Sequence, residues 1–230
     1  MKRRVSVVAV LSLVGILLAG CKCPMRYCCP GMMKPSIQFD NSYFYDAEGK
    51  FLAEKAKDAY IALMKYHGYP VYKDMREKLW ASDYGLGQFT KLGLAARMWM
   101  NNEKDQYMLM DVYLLPGQML PEHWHEKPEG NLQKKEGWLV RYGLSHIVGE
   151  GEPNLGPDVV VPKIHMGGEV TTKHEVVAGP GDFVPLVKLG SRHWQLAGPE
   201  GAIITEVANV HTDSAVRHSD PKANDNFLGK

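Results

Sequence analysis

The sequence predicts a mainly β protein, a sandwich or small barrel of jelly-roll type, with helices on its N-terminal side. Three observations carry this prediction. From about Gly93 onward the chain falls into short apolar runs: LAARMWM, QYMLMDVYLL, GWLVRYGLSHIV, DVVVPKI, KHEVVAG, DFVPLVKL, HWQLA and AIITEVANV. The turns between them carry PG, GP, GG or AGP, residues that end strands and reverse the chain. Helical periodicity is missing from this region and present only before it. The 230 residues, 45% of them hydrophobic, suffice for one domain with a real core and are too apolar for a disordered chain. A formal charge of +1 argues against a dedicated nucleic-acid binder, which needs a basic surface to displace counterions.

At the N-terminus, Lys2, Arg3 and Arg4 precede an uncharged run from Val5 to Gly20, the order of a secretory leader. The run has 16 residues, short of the ~20 that cross a hydrocarbon core. It ends in Leu18-Ala19-Gly20-Cys21, which resembles a bacterial lipobox, so residues 1–20 read as a lipoprotein signal peptide and Cys21 as the lipidated residue. An uncleaved N-terminal anchor is the rival reading. Either one implies an exported chain tethered to a bacterial membrane. Removing the leader takes 3 of the 27 basic residues and none of the 26 acidic ones, so the exported chain carries two more acids than bases. All 4 cysteines, Cys21, Cys23, Cys28 and Cys29, lie in one short tract. A soft-metal tract is one reading of it. A plain tether holding a disulfide of open pairing suits a short segment containing Pro24 and Pro30 better.

Residues 21–42 lack an apolar period and read as a tether, leaving 43–230 as one domain with a helical N-terminal cover. Between Gly49 and Gly68, Leu52, Ala56, Ala59, Leu63 and Met64 recur at helical spacing with Glu54, Lys55, Lys57 and Asp58 between them. Gly68 and Pro70 stop this helix. A shorter helix is expected over Tyr72 to Trp80.

The strongest local signal for chemistry is Gly117-Gln-Met-Leu-Pro-Glu-His123-Trp-His125. Residues two apart on a strand share a face, so His123 and His125 project together and Trp124 points away. Two imidazoles on one face of a barrel interior are half of a metal site. Glu129 and Glu136 compete to supply a carboxylate, and His193, after Gly190, offers a third imidazole.

The G-x5-H-x-H run and the later G-x2-H resemble the two motifs of the cupin superfamily. That resemblance implies one divalent metal inside a double-stranded β-helix barrel. Lys188 stands where a Pro is usual in the second motif, a departure that concerns the turn. A narrower resemblance runs from about Trp80 to Pro221. Asp83-Tyr-Gly-Leu-Gly-Gln-Phe, Leu115-Pro-Gly-Gln-Met-Leu-Pro-Glu-His-Trp-His, Lys134-Lys-Glu136, Arg141-Tyr-Gly, Gly149-Glu-Gly-Glu-Pro, His193-Trp-Gln-Leu-Ala-Gly-Pro-Glu-Gly, Glu206-Val-Ala-Asn-Val-His-Thr-Asp and Ser219-Asp-Pro are similar to the D-lyxose isomerase family of cupins. In that family's pattern the carboxylate ligand lies 11 positions after the second His, which points to Glu136.

The resemblance implies aldose–ketose exchange on a free sugar, of D-lyxose/D-xylulose or D-mannose/D-fructose type, and homodimerisation. It implies the ligands His123, His125, Glu136 and His193 with a manganese-type metal; three imidazoles and a carboxylate suit Mn2+, Zn2+, Fe2+, Co2+ or Ni2+. Moving a proton between adjacent carbons through an enediol needs a Lewis acid and a base. Glu206 is the candidate base, with an ion pair to Arg141 as its structural alternative. Lys134 is the candidate acid or electrostatic partner, although a Lys-Lys-Glu run is commonly a solvated face. Arg217 and Asp213 are candidate sugar contacts. His67, His146, His165, His174, His211 and His218 have no ligand spacing and read as structural or surface residues. Trp99, Trp124, Trp138 and Trp194 read mainly as core, with Trp194 turned to the face opposite His193. Two other classes share these ligands: a non-catalytic sugar-binding lipoprotein and a cupin dioxygenase.

Overall fold

A computed structural model of the protein describes residues 34–230. The expected leader, the candidate lipid site Cys21, the other cysteines and most of the expected tether lie outside the described residues. Residues 34–42 already join the domain: Ile37 is buried, and Asn41, which opens a 3-10 turn (Asn41–Phe44), donates from Nδ2 to the Gly87 carbonyl at 2.9 Å. Among the described residues no helix is long and apolar enough to cross a membrane.

The expected helix forms as α1 (Ala53–His67) and ends at Gly68, whose φ of 70° places it in the left-handed region that glycine occupies without strain. Ala56, Ala59, Tyr60, Leu63 and Met64 are its buried face. They pack with Phe44, Phe89, Ala95, Tyr113 and Ile203 to form a core between the helix and one face of the sheet. Tyr60 Oη donates to Gln118 Oε1 at 2.6 Å, and Gln118 in turn accepts from Leu115 N at 2.9 Å, so a buried amide ties α1 to the barrel wall. The second expected helix shrinks to one turn, α2 (Met75–Lys78). Within the expected stretch, Met75 and the following Leu79 are buried, while Tyr72 and Trp80 are exposed.

The rest of the regular structure is antiparallel sheet, β1 (Trp80–Ser82), β2 (Leu94–Asn102), β3 (Tyr107–Leu114), β4 (Met119–His125), β5 (Glu136–Gly149), β6 (His174–Ala178), β7 (Phe183–Pro185), β8 (His193–Ala208) and β9 (Val216–His218), apart from a 3-10 turn (Asp213–Ala215) and a C-terminal helix, α3 (Pro221–Phe227), that the sequence reading did not expect. The sheet runs β1-β2-β3-β8-β4-β9, with β5 joining β8 to β6 and β7. Two sequence expectations change here. The runs HWQLA and AIITEVANV are one strand, β8, since both halves pair with β5. Gly143 and Gly201, each at φ 73°, make the crossing possible: a Cβ on Gly143 would stand 2.0 Å from the Gly201 carbonyl oxygen. DVVVPKI is an irregular loop. Pro157 and Pro162 remove backbone donors there, while Val159, Val161 and Ile164 pack on the core without strand pairing.

β8 is the spine of the barrel. Its first half lies between β4 and β5, its second half between β3 and β5. The inward faces of these strands enclose a second core around Leu92, Met108, Met119, Val140, Trp194 and Ile204.

Candidate metal centre and chamber

β4 positions the first two imidazoles, and a bulge sets their register. Leu120 pairs with Gln195, but His123 pairs with His193, so the Pro121–Glu122 segment holds one residue more than its partner. The effect is to set His123 opposite His193, with ring centroids 4.2 Å apart. Trp124 turns outward under the guanidinium of Arg192, 4.4 Å from the ring centre. Trp194 is buried on the face away from His193 and donates to the Thr172 carbonyl at 3.1 Å, as strand alternation requires.

Candidate ligand atoms of His123, His125 and His193 all lie within 4.8 Å of one another, and all three rings are buried. Glu136 opens β5 beside them, its Oε1 3.2 Å from His125 Nε2 and 3.5 Å from His193 Nε2. Glu129 is exposed in the preceding loop and joins none of this.

These residues fit a divalent metal. His123 Nδ1 donates to the Pro121 carbonyl at 2.9 Å and His193 Nδ1 to the Ser191 carbonyl at 3.1 Å. A carbonyl only accepts, so both rings carry their proton on Nδ1 and present a bare Nε2 lone pair to the cluster. The Nε2 atoms of His125 and His193 and the Glu136 Oε1 are buried without a hydrogen bond. A bare His193 Nε2 facing the Glu136 carboxylate is costly unless a cation stands between them. Burial, followed by the neighbouring rings, holds His123 well below the ordinary imidazole range; burial also lowers His125 and His193, against the pull of Glu136. Neutral imidazoles are the ligand form.

Lys134, the candidate acid or electrostatic partner, does not lie on the solvated face that a Lys-Lys-Glu run commonly forms: it is 4% exposed. Its Nζ lies 2.9 Å from Glu136 Oε2 and also pairs with Glu206. Burial works against its charge, but the two carboxylates outweigh it and raise its pKa. Burial likewise pushes Glu136 up, and the facing His125 ring and Lys134 overcome this and hold it well below the usual carboxylate range. Glu206 sits on β8 between cross-strand neighbours Met110 and Trp138, facing the barrel interior. Its ion-pair partner is Lys134, not Arg141, which is exposed.

A chamber of about 60 Å³ adjoins these groups, lined by His123, His125, Lys134, Glu206 and His218 among others. Five of its lining residues, Trp80, Met110, His211, Asp213 and Phe227, also line an outer cavity of about 950 Å³, which marks the way in. A still larger cavity, about 1160 Å³ beside His146 and Glu175, contains none of the site residues.

Asp213 stands at the chamber mouth, its Oδ1 2.9 Å from His211 Nε2, and this contact, ahead of opposing burial, lowers its pKa. Arg217, read from the sequence as a sugar contact, is turned outward. It shares the outer face of the β4–β9 pair with Trp124 and binds Glu126 at 2.9 Å, because alternation gives the inward face to Val216 and His218. Sequence reasoning missed His211 and His218. His211 Nδ1 lies 3.3 Å from Lys134 Nζ, and His218 is paired across strands with His123. The only local signal for His218 was its alternation with Arg217 and Ser219.

No protein-family model matches the chain. Among curated proteins it is 32% identical over 170 residues to the D-lyxose ketol-isomerase of Cohnella laeviribosi, covering 73% of this chain and 90% of that one. It is 31% identical over 175 residues to the D-lyxose/D-mannose isomerase of Thermosediminibacter oceani, covering 75% and 91%. Among solved structures, the L-ribose isomerase of Cellulomonas parahominis superposes with a TM-score of 0.54 at 14% identity, covering 81% of this chain and 97% of that one. At that identity the likeness speaks to the fold, a cupin double-stranded β-helix.

Proposed function

Because the chain belongs to the D-lyxose ketol-isomerase family and is a sugar isomerase, we propose that it interconverts a free aldose and ketose, D-lyxose/D-xylulose or D-mannose/D-fructose in type, by a metal-dependent enediol route. The observation that carries this reading is the meeting of three neutral imidazoles and Glu136 with the Lys134–Glu206 pair at one chamber. A divalent ion bound there supplies Lewis-acid stabilisation of the charge that develops on the substrate's O1 and O2. Glu206 takes the proton from C2 of the aldose and returns it to C1 of the ketose. Its carboxylate reaches the chamber from the wall that carries Met110 and Trp138. Lys134 holds the base in place and moves the accompanying proton between the two oxygens. The apolar neighbours of Glu206 exclude water, which keeps the abstracted proton from exchanging.

Metal analysis joined to a screen of aldoses and ketoses tests the proposal. Exchange should vanish with chelator and in His123→Ala, and return to the wild-type protein on adding Mn2+. Metal-replete protein that converts neither D-lyxose nor D-mannose, nor any other aldose, refutes it. The leader and Cys21 support a second element, an exported chain held at a bacterial membrane by a lipid on Cys21. Labelled fatty acid should enter the wild type and not Cys21→Ser. Equal labelling of both would end that assignment.

A further inference from the structure

His218 is a buried imidazole for which the metal group has no use. It is 5% exposed, and neither ring nitrogen has a hydrogen-bond partner. Its backbone is fixed on both sides: it pairs with His123, its N–H donates to Asn224 Oδ1 at 3.1 Å, and the next residue's N–H donates to the Glu122 carbonyl at 2.9 Å. Its ring is gripped between Tyr84, with centroids 4.9 Å apart, and Phe227, at 5.2 Å. The ring lines the chamber, 5.6 Å from the centre of His123, and stands outside the three-imidazole group. A side chain held this firmly, with a donor and an acceptor both unanswered, pays a desolvation cost that packing does not repay.

A neutral imidazole offers one donor and one acceptor, and a hydroxyl is complementary to both. Leu120, Met110 and Val216 also line this chamber and offer a hydroxyl no hydrogen bond, whereas His218 and its neighbour Tyr84 can. We infer that His218 receives a hydroxyl of the open-chain sugar beyond C1 and C2, and so selects which sugars lie productively between Glu206 and the metal group. The inference rests on the isomerase reading for the orientation of the sugar. Glu136, Lys134 and Glu206 serve the reacting end, and His218 on the β9 side of His123 holds the tail.

His218→Phe keeps a ring between Tyr84 and Phe227 and removes both nitrogens. Two readouts are needed. In a Glu206→Gln background, where turnover is blocked, calorimetry with xylitol should show metal-loaded protein losing about tenfold in affinity on adding His218→Phe, with bound metal unchanged. In the active protein, one of the 3-, 4- or 5-deoxy analogues of the preferred aldose should be disfavoured about tenfold by wild type and no longer disfavoured by His218→Phe. Xylitol that does not bind, or an affinity that stays within twofold when His218→Phe is added to Glu206→Gln, overturns the inference, as does a variant that keeps the wild-type discrimination against all three analogues. A wild type that converts no sugar yet binds xylitol through His218 would sink the isomerase route and leave this contact standing.

Discussion

Asp111 and Glu206 are two buried carboxylates one register step apart on the β3–β8 ladder, facing opposite sides of the same sheet. Asp111 points to the helix-covered side and is saturated. It accepts from Trp99 Nε1 at 2.7 Å, Tyr69 Oη at 2.5 Å and Thr205 Oγ1 at 2.6 Å, all neutral donors. Glu206 points to the chamber, where Lys134 is its one hydrogen-bonding side chain among the described residues. The difference teaches how one sheet separates structure from chemistry. A carboxylate whose lone pairs are all engaged holds the fold together, whereas one left with open lone pairs beside a cavity keeps capacity for a proton.

The largest expected effect is on the open side. Glu206→Gln should lower kcat by about 10²–10⁴-fold while leaving metal content and thermal midpoint near wild type. A loss of metal or of fold in that variant would mean that Glu206 is a structural group like Asp111. The mirror experiment is Asp111→Asn, which turns an amide N–H₂ toward donors. It should cost about 3 kcal/mol of stability, read in denaturant, with kcat of the folded protein unchanged. A loss of rate without a loss of stability would dissolve the contrast.

Glu122 extends the saturated class. It accepts from Thr171 N, Thr171 Oγ1, Thr172 N and Thr172 Oγ1 at 2.8–2.9 Å, fastening the loop before β6 to the bulge of β4. Burial pushes its carboxyl up, but the neighbouring Ser219 hydroxyl together with the Thr172 and Thr171 groups outweighs it and leaves the pKa below the ordinary 4.5. The depressed folded pKa makes its contribution complete above about pH 4.5 and lost as acid protonates the folded form. Glu122→Gln should therefore be destabilised by about 2 kcal/mol at neutral pH, with the gap to wild type closing below pH 4 or so. A gap that is flat with pH would show that shape, not charge, does the fastening. The smallest effect belongs to Glu129, exposed and outside both classes: Glu129→Gln should leave stability within about 0.5 kcal/mol and the rate unaltered.

Much of this was legible in the sequence because it is local. Alternation along β4 turned His123 and His125 one way and Trp124 the other, and the α1 stripe marked its buried face. Local rules also misled. Lys134-Lys135-Glu136 reads as a solvated run, yet Lys134 is buried between Glu136 and Glu206 because the segment enters the barrel there. Arg217 carried the charge expected of a sugar contact, but its neighbour His218 has the inward position.

The sequence by itself determined a mainly β barrel with a helical cover and two imidazoles on one inward face. These depend on period and order along the chain, as does the expectation of a leader over residues 1–20. Which glutamate joins the imidazoles was decided by tertiary structure, as were the pairing of Lys134 with the base candidate and the presence of His218 in the chamber. The physical reason is register. One extra residue at Pro121–Glu122 aligns His123 with His193, and the β4–β9 pairing then carries His218 into place, across separations that no local pattern encodes.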